Sequence, residues 1–414
     1  MKYLYKILGL FVILTQISCS EDKPVEAPVY PDPPKLDNFV IGTTMGFASH
    51  QEKYGGVVFK ENEVPKDPYL SMKDHGANMV RLRIDLPPYT NRFTVDGIPV
   101  DFRSVANVKK DFKRAQDAEL GVLLTFGYTS MALEDDQKLN DYVAPLEWQP
   151  IADDLGKLQD KVYEHTYSVL EDYISDGFVP KIVSIGNETS GRFLEPNLPE
   201  SELDPYTLSR VVPLLNSGTR AVRDINEKHG LNIPVSVHIP DTSDMTRFVN
   251  AAMLQNLDFD ILSVSHYHEW HSLGAFANWK EAVSWLKNTY NKDFLIIETA
   301  QLFTDVNYDN KPNRLGVYNI PDGYPNNPPT TQTQRDYLAD FGKELKVAGA
   351  VGIVAWGGEW VGSETIIYAD EWGPHGSAWD DKTFWETNKP DGTLGYYNLH
   401  DGVNWMQDVR DYNP

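Results

Sequence analysis

Two glutamates stand where chemistry could be done. Glu188 follows Ile182-Val183-Ser184-Ile185-Gly186, and Glu298 follows Phe294-Leu295-Ile296-Ile297. Each apolar run has the length and texture of a strand buried on both faces. A carboxylate at its tip must therefore open onto a polar mouth or bear a large desolvation cost. Two such groups across one mouth suit glycoside hydrolysis: one protonates the departing oxygen, the other attacks or stabilises the anomeric carbon. The alternative is structural, with either Glu serving as an ion-pair partner to Arg81 or Arg83, which share one strand face by period-two alternation.

A second constellation, His266-x-His268-x-x-His271, has the residue type of a zinc site. Against this reading, no second His or Asp set stands at the other strand ends, and Tyr267 and Trp270 interleave as a sugar-binding wall would. Asp305, Asn307, Asp309 and Asn310 make an oxygen-rich stretch with loosely calcium-like spacing, or else a plain solvated loop. No other cofactor is called for. Trp270, Trp356, Trp360 and Trp379 fall at predicted loop starts, where flat rings could stack on a chain of sugars, although such residues also fill cores.

Elements that could position these residues can be read along the chain. Eight short apolar runs recur: Phe39–Thr43, Met79–Ile84, Gly121–Phe126, Pro180–Gly186, Pro234–His238, Ile261–Ser265, Asp293–Ile297 and Gly352–Trp356. Between them lie helical periods at Val105–Glu119, Leu155–Ile174, Tyr206–Lys228, Lys280–Tyr290 and Gln334–Lys346. Leu155, Leu158, Val162, Thr166, Val169, Leu170 and Tyr173 form one stripe, and Gly177 stops that helix. This alternation predicts an α/β fold, a (β/α)8 TIM barrel forming one catalytic domain over residues 38–414. An open doubly wound sheet is the competitor, but no G-x-G-x-x-G follows any of these runs. Barrels carry their chemistry at the carboxyl ends of strands, which brings Arg81, Arg83, Tyr128, Asn187, Glu188, His238, His266, Tyr267, Glu298 and Trp356 forward together.

Composition narrows the partners. The 414 residues carry 37 Lys+Arg against 60 Asp+Glu, a formal charge of −23 that repels phosphate backbones and excludes nucleic acid as a partner. Aromatic residues make up 12%, with 10 Trp and 22 Tyr, which suits stacking on sugars. The single cysteine, Cys19, follows Lys2 and Lys6, the apolar run Ile7–Leu14 and Thr15-Gln16-Ile17-Ser18. That is the layout of a secretory signal over residues 1–18, too short to span a membrane as a helix. Once the leader is removed, no cysteine beyond Cys19 remains for disulfides, thiolate catalysis or zinc. Pro24, Pro28, Pro31, Pro33 and Pro34 make residues 19–37 an extended tether.

Ser18-Cys19-Ser20 resembles a bacterial lipobox, with Gln16 where Leu is usual, and Ser20-Glu21-Asp22 resembles the export signal of Bacteroides-type surface lipoproteins. This implies a lipid on Cys19 and a place on the outer membrane surface, with contact to the membrane through that lipid alone. The motifs Val80-Arg81-Leu82-Arg83, Ile185-Gly186-Asn187-Glu188-Thr189, Ser265-His266-Tyr267-His268-Glu269-Trp270-His271, Ile297-Glu298-Thr299-Ala300 and Gly376-Ser377-Ala378-Trp379-Asp380 resemble glycoside hydrolase family 53, the endo-β-1,4-galactanases. The resemblance spans about Phe39 to Trp379. It implies a retaining enzyme acting on β-1,4-galactan, with Glu188 as acid/base and Glu298 as nucleophile; a tethered surface enzyme has no need of an oligomer, so a monomer is expected.

The resemblance further implies that Asn187 bonds the sugar 2-OH and that Tyr267 holds Glu298 ionised and oriented. One of Arg81 and Arg83 would pair with Glu298, and Trp356 would floor the −1 subsite. Tyr128, His266 and Trp270 would complete the substrate contacts. Some bacterial relatives bind calcium in the loop after the seventh strand, which points to Asp305, Asn307 and Asp309. One position departs from the family: its third strand usually ends Asp-Phe-His-Tyr-Ser-Asp, and this chain has Thr125-Phe126-Gly127-Tyr128-Thr129-Ser130. Loss of that histidine leaves open a second reading, a surface glycan-binding lipoprotein without catalysis, or a change in which β-linked glycan fits.

Overall fold

In a computed structural model, the described residues are 30–86, 94–95, 98–99, 101–130, 142–196, 198, 206–309, 311–316, 320–324, 328–363, 376–388 and 393–414. The chain divides into Met1–Pro31 and Asp32–Pro414. The first unit, which holds Cys19 and the segment read as a secretory signal, lies almost wholly outside the described residues. Of the segment read as a tether to residue 37, Asp32 accepts a hydrogen bond from Asn291 at 2.7 Å and Leu36 packs on the barrel's inner cluster.

The second unit is a closed barrel of eight parallel strands. They are β1 Val40–Thr44, β2 Met79–Leu86, β3 Gly121–Ser130, β4 Ile182–Ile185, β5 Val235–Ile239, β6 Ile261–Ser265, β7 Asp293–Glu298 and β8 Gly352–Ala355. Each coincides with one of the eight apolar runs. Closure is made by β1 against β8, with Thr43 beside Ala355, and β1 against β2, with Thr44 beside Arg81. At this seam the backbones approach so closely that a Cβ on Gly42 would meet the Met79 carbonyl oxygen at 2.1 Å.

The helices are α1 Ala48–Tyr54, α2 Pro68–Asp74, α3 Val105–Asp117, α4 Leu155–Ser175, α5 Leu208–His229, α6 Met245–Met253, α7 Trp279–Tyr290, α8 Thr331–Ala348 and α9 Trp405–Asp411. The stripe read on α4 is its buried face, apart from Leu155, which is only partly buried. Helix ends follow their capping residues: a Thr330–Thr333 capping box opens α8 and Gly349, at φ 85°, closes it. Helices α1, α2, α6 and α9 are absent from the sequence reading, as is a small accessory sheet of Lys60–Glu61, Val64–Pro65, Trp385–Asn388 and Leu394–Leu399.

Alternation along the strands sorts the interior into layers. Val40, Met79, Leu123, Ile182, Ile261, Leu295 and Val354 fill the barrel, while a second, larger cluster fills the space between strands and helices. Each such fully buried aliphatic side chain contributes roughly 1.5–3 kcal/mol. A third cluster, with Phe47, Phe102, Tyr267, Trp356, Trp360 and Trp379, lines the mouth.

Candidate active site

Glu188 owes its position to a turn that breaks strand alternation. Gly186, at φ 82°, ends β4, and Glu188 itself has φ 50°. That region is uncommon for a residue with a Cβ and marks a conformation held by its surroundings. The Glu188 N–H donates to His238 Nδ1 at 3.2 Å and the Thr189 N–H to the His238 carbonyl at 2.7 Å, which pin the turn to β5. Glu298 is placed by a different device. The β6–β7 ladder pairs Val264 with Ile296 and then Ser265 with Glu298, so Ile297 is an extra residue. This bulge re-aims the last side chain of β7 into the mouth.

The two carboxylates and His238 offer atoms that all lie within 4.8 Å of one another. That proximity lets both carboxylates flank one glycosidic bond, one as proton donor and the other at the anomeric carbon. Distance alone would allow a metal between them. Both His238 nitrogens, however, have protein partners, since Nε2 lies 2.9 Å from Ser265 Oγ. Burial, reinforced by Arg81 and Arg83, pushes the His238 imidazole well below its ordinary value and keeps it neutral.

Arg81, 1% exposed, is the hub. Its Nη1 pairs with Glu298 Oε1, Nη2 donates to Asn187 Oδ1 at 2.6 Å, and Nε donates to Thr125 Oγ1 at 3.0 Å. Its guanidinium lies 5.7 Å from the Trp356 ring centroid. The Tyr267 hydroxyl donates to Glu298 Oε2 at 3.3 Å. Burial, then Glu298 and Glu188, raise that phenol well above its ordinary value, so it remains a donor. Glu298 thus carries a charge partner on one oxygen and a hydroxyl on the other.

Arg83 takes a different partner from the one the sequence left open to it. Its Nε donates to Asp85 Oδ1 at 2.9 Å, and Arg103 Nη1 donates to Asp85 Oδ2 at 3.1 Å. This triad explains Gly127. A Cβ there would stand 2.0 Å from Asp85 Oδ1 and 2.8 Å from Arg83 Nε. The space a side chain at this position would need is filled by the Arg83–Asp85 pair.

The aromatic wall forms largely as expected. Trp356 and Trp360 lie 4.9 Å apart, Tyr267 and Trp270 5.3 Å, and Tyr267 and Trp379 6.0 Å. Trp270, 45% exposed, presents its ring at the rim. Beneath the wall lies the fully buried Glu359, which accepts from Thr44 Oγ1 at 3.2 Å and the Phe47 N–H at 3.3 Å. Burial pushes its carboxyl up to about 8, so it is protonated at neutral pH.

Two residues expected to contact substrate do not reach the mouth. Tyr128 is buried outside the barrel wall, bonded to Thr166 of α4 at 2.6 Å and packed among Phe126, Trp148 and Phe193. His266 also faces outward, against Trp279 and Phe341, with Nδ1 3.3 Å from Thr242 Oγ1. Burial, with His271 and His268, lowers it to about 3. His266, His268 and His271 do not converge as ligands. The sequence reading gave no role to His238, Ser265, Asp85 or Arg103; polar residues inside otherwise apolar strands were the signal for the first two.

In the loop after β7, two of the three residues expected to hold calcium are engaged with the chain itself. Asp309 accepts from the Lys311 N–H at 2.8 Å with one oxygen and from the Ser377 N–H at 2.7 Å with the other. Asn307 spends its carbonyl on the Asp309 N–H at 3.1 Å and its amide on the Lys311 carbonyl at 2.8 Å, while Asp305 is exposed. Burial raises the Asp309 carboxyl above its ordinary value, opposed by the Ser377 and Lys311 N–H groups and the buried Lys311 side chain.

The glycosyl hydrolase family 53 model matches residues 40–392. The chain belongs to that family. Over 357 residues it is 27% identical to an arabinogalactan endo-beta-1,4-galactanase of Cellvibrio japonicus, covering 86% of this chain and 89% of that one. It is 26% identical over 351 residues to an endo-beta-1,4-galactanase of Bacillus subtilis, covering 83% and 76%. Its fold matches the Ignisphaera aggregans GH53 catalytic domain with a TM-score of 0.72 at 24% identity, over 92% of this chain and 99% of that one. Within this family-53 barrel, the expected Asn187–Glu188 and Glu298 positions meet at one mouth.

Proposed function

We propose that this glycosidase is an endo-acting, retaining β-1,4-galactanase that cleaves plant galactan or type I arabinogalactan. The observation that carries the reading is the Glu188–Glu298 pair facing one mouth, with Glu298 held by Arg81 and Tyr267. The names borne by the family relatives supply the glycan. In the first step Glu298 attacks the anomeric carbon, the glycosidic bond breaks, and the Glu188 proton passes to the leaving O4. In the second, water attacks the glycosyl–Glu298 ester while Glu188 takes its proton, and Glu298 departs as carboxylate. Asn187, oriented by Arg81, is placed to bond the 2-OH, an interaction that strengthens in the transition state. Trp356 floors the site, and the exposed Trp270 extends a platform past it, as a polymer binder requires.

The test is a time course on linear β-1,4-galactan. New reducing ends with mixed oligosaccharides early support an endo-galactanase. Binding without products would establish the non-catalytic glycan-binding reading instead. We also propose that Cys19 carries a lipid that holds the enzyme at the outer membrane surface. A Cys19→Ala variant that stays membrane-associated would contradict this.

A further inference from the structure

We infer that His238 and Ser265 are positioning residues that fix which oxygen of Glu188 carries the catalytic proton. The inference rests on reading Glu188 as the acid/base group. Three contacts form a chain with one consistent direction. A backbone N–H can only donate, so the 3.2 Å contact from Glu188 N makes His238 Nδ1 an acceptor. A neutral imidazole with Nδ1 accepting carries its proton on Nε2, which therefore donates to Ser265 Oγ at 2.9 Å. With one lone pair so engaged, the serine hydroxyl donates onward to Glu188 Oε1 at 2.6 Å.

His238 and Ser265 are both fully buried, so water does not compete for these bonds. Their neutral state is secured by the surroundings. The ionisable groups around the pair are Arg81 and Arg83 from β2, Glu188 beyond β4, Glu298 from β7, and Tyr267 and His271 beyond β6, and the two arginines oppose a charge on His238.

The consequence concerns the proton. Glu188 Oε1 is held as an acceptor, and the carbonyl oxygen of a carboxylic acid is its better acceptor, so the acid proton resides on Oε2. Glu188 then begins each cycle with its proton on a defined oxygen instead of divided between two. The loop is closed on itself: the backbone of Glu188 sets the His238 tautomer, and that tautomer, through Ser265, orients the Glu188 side chain. Alternation along β6 from Ser263 aims Ser265 into the mouth, where it meets Glu188.

The test is the pH profile of kcat/KM on galactan for wild type, Ser265→Ala and Ser265→Thr. Hydrogen bonding to a carboxylate favours its ionised form, so losing the Ser265 donor keeps Glu188 protonated to higher pH. The basic limb should move up by about one pH unit in Ser265→Ala and return in Ser265→Thr. A general packing defect would lower the rate without moving that limb. A Ser265→Ala basic limb unmoved from wild type would overturn the inference. Should Ser265→Ala fail to fold, Ser265→Cys, a weaker donor, should move the limb in the same direction by less. Nitrogen-15 NMR of His238 decides independently of any substrate: a proton on Nε2 with bare Nδ1 supports the chain, and the opposite tautomer refutes it. Wild type that cleaves no galactan would defeat the proposed function, while the NMR result would still decide this inference.

Discussion

Replacing Arg81 by Met should be the most damaging single change in the interior. The methionine keeps the stem volume and removes the charge. Glu298 then stays buried without its counter-ion, and breaking a buried pair from one side costs about 3–5 kcal/mol. Asn187 Oδ1 and Thr125 Oγ1 lose their donors as well, each worth about 1 kcal/mol. A loss of about 5 kcal/mol of unfolding free energy is expected, close to the whole stability of a marginal domain. The cleanest assay is a double-mutant cycle by urea unfolding at pH 7, with Glu298→Gln and the double variant. In the double variant no charge is left unpaired, so its cost should fall short of the sum by roughly 2–3 kcal/mol. The folded Arg81→Met fraction should also lose at least ~10²-fold in kcat/KM, as loss of an electrostatic positioning group does. Costs that add to within about 0.5 kcal/mol would refute the pairing.

Three further outcomes follow from the same network. Gly127→Ala puts a Cβ against Asp85 and Arg83 and should cost about 1–3 kcal/mol; an unchanged urea midpoint would contradict the triad. Glu359 has its carboxyl raised in the folded state, so its contribution is complete below the ordinary Glu value and is lost as pH rises towards about 8. Glu359→Gln, which cannot ionise, should therefore gain on wild type in melting temperature from pH 5 to 8, and a gap constant with pH would count against it. EDTA should leave the melting temperature unchanged because backbone N–H groups already satisfy both Asp309 oxygens in the loop after β7; a fall of several degrees with EDTA would restore calcium to that loop.

The barrel was legible because parallel strands covered on both faces must be apolar along their length, and each of the eight runs stands out for that reason. The site was legible because chemistry collects at strand ends. Which end residues face the mouth was less so, although alternation carried part of the answer. Leu123 and Thr125 face inward, so Gly127 does too and Tyr128 must face α4. Ser263 and Ser265 face inward, which sends His266 to the helices. For Glu188 and Glu298 alternation gives no answer, because a left-handed turn in one case and a bulge in the other re-aim the carboxylate. The short helices α1, α2, α6 and α9 hold seven to nine residues each, too few turns for a period to emerge from the sequence. The Arg83–Asp85–Arg103 triad joins residues whose pairing depends on a missing side chain at Gly127, which no local pattern announces.

The central claim is the division of labour between Glu298 and Glu188. A 2-deoxy-2-fluoro-galactobioside with an activated leaving group slows the second step and lets the glycosyl–enzyme ester accumulate. Proteolysis and mass spectrometry should find the label on the peptide bearing Glu298, at that residue. A label on Glu188 or elsewhere, or galactan cleavage with inversion and no label at all, would contradict the account.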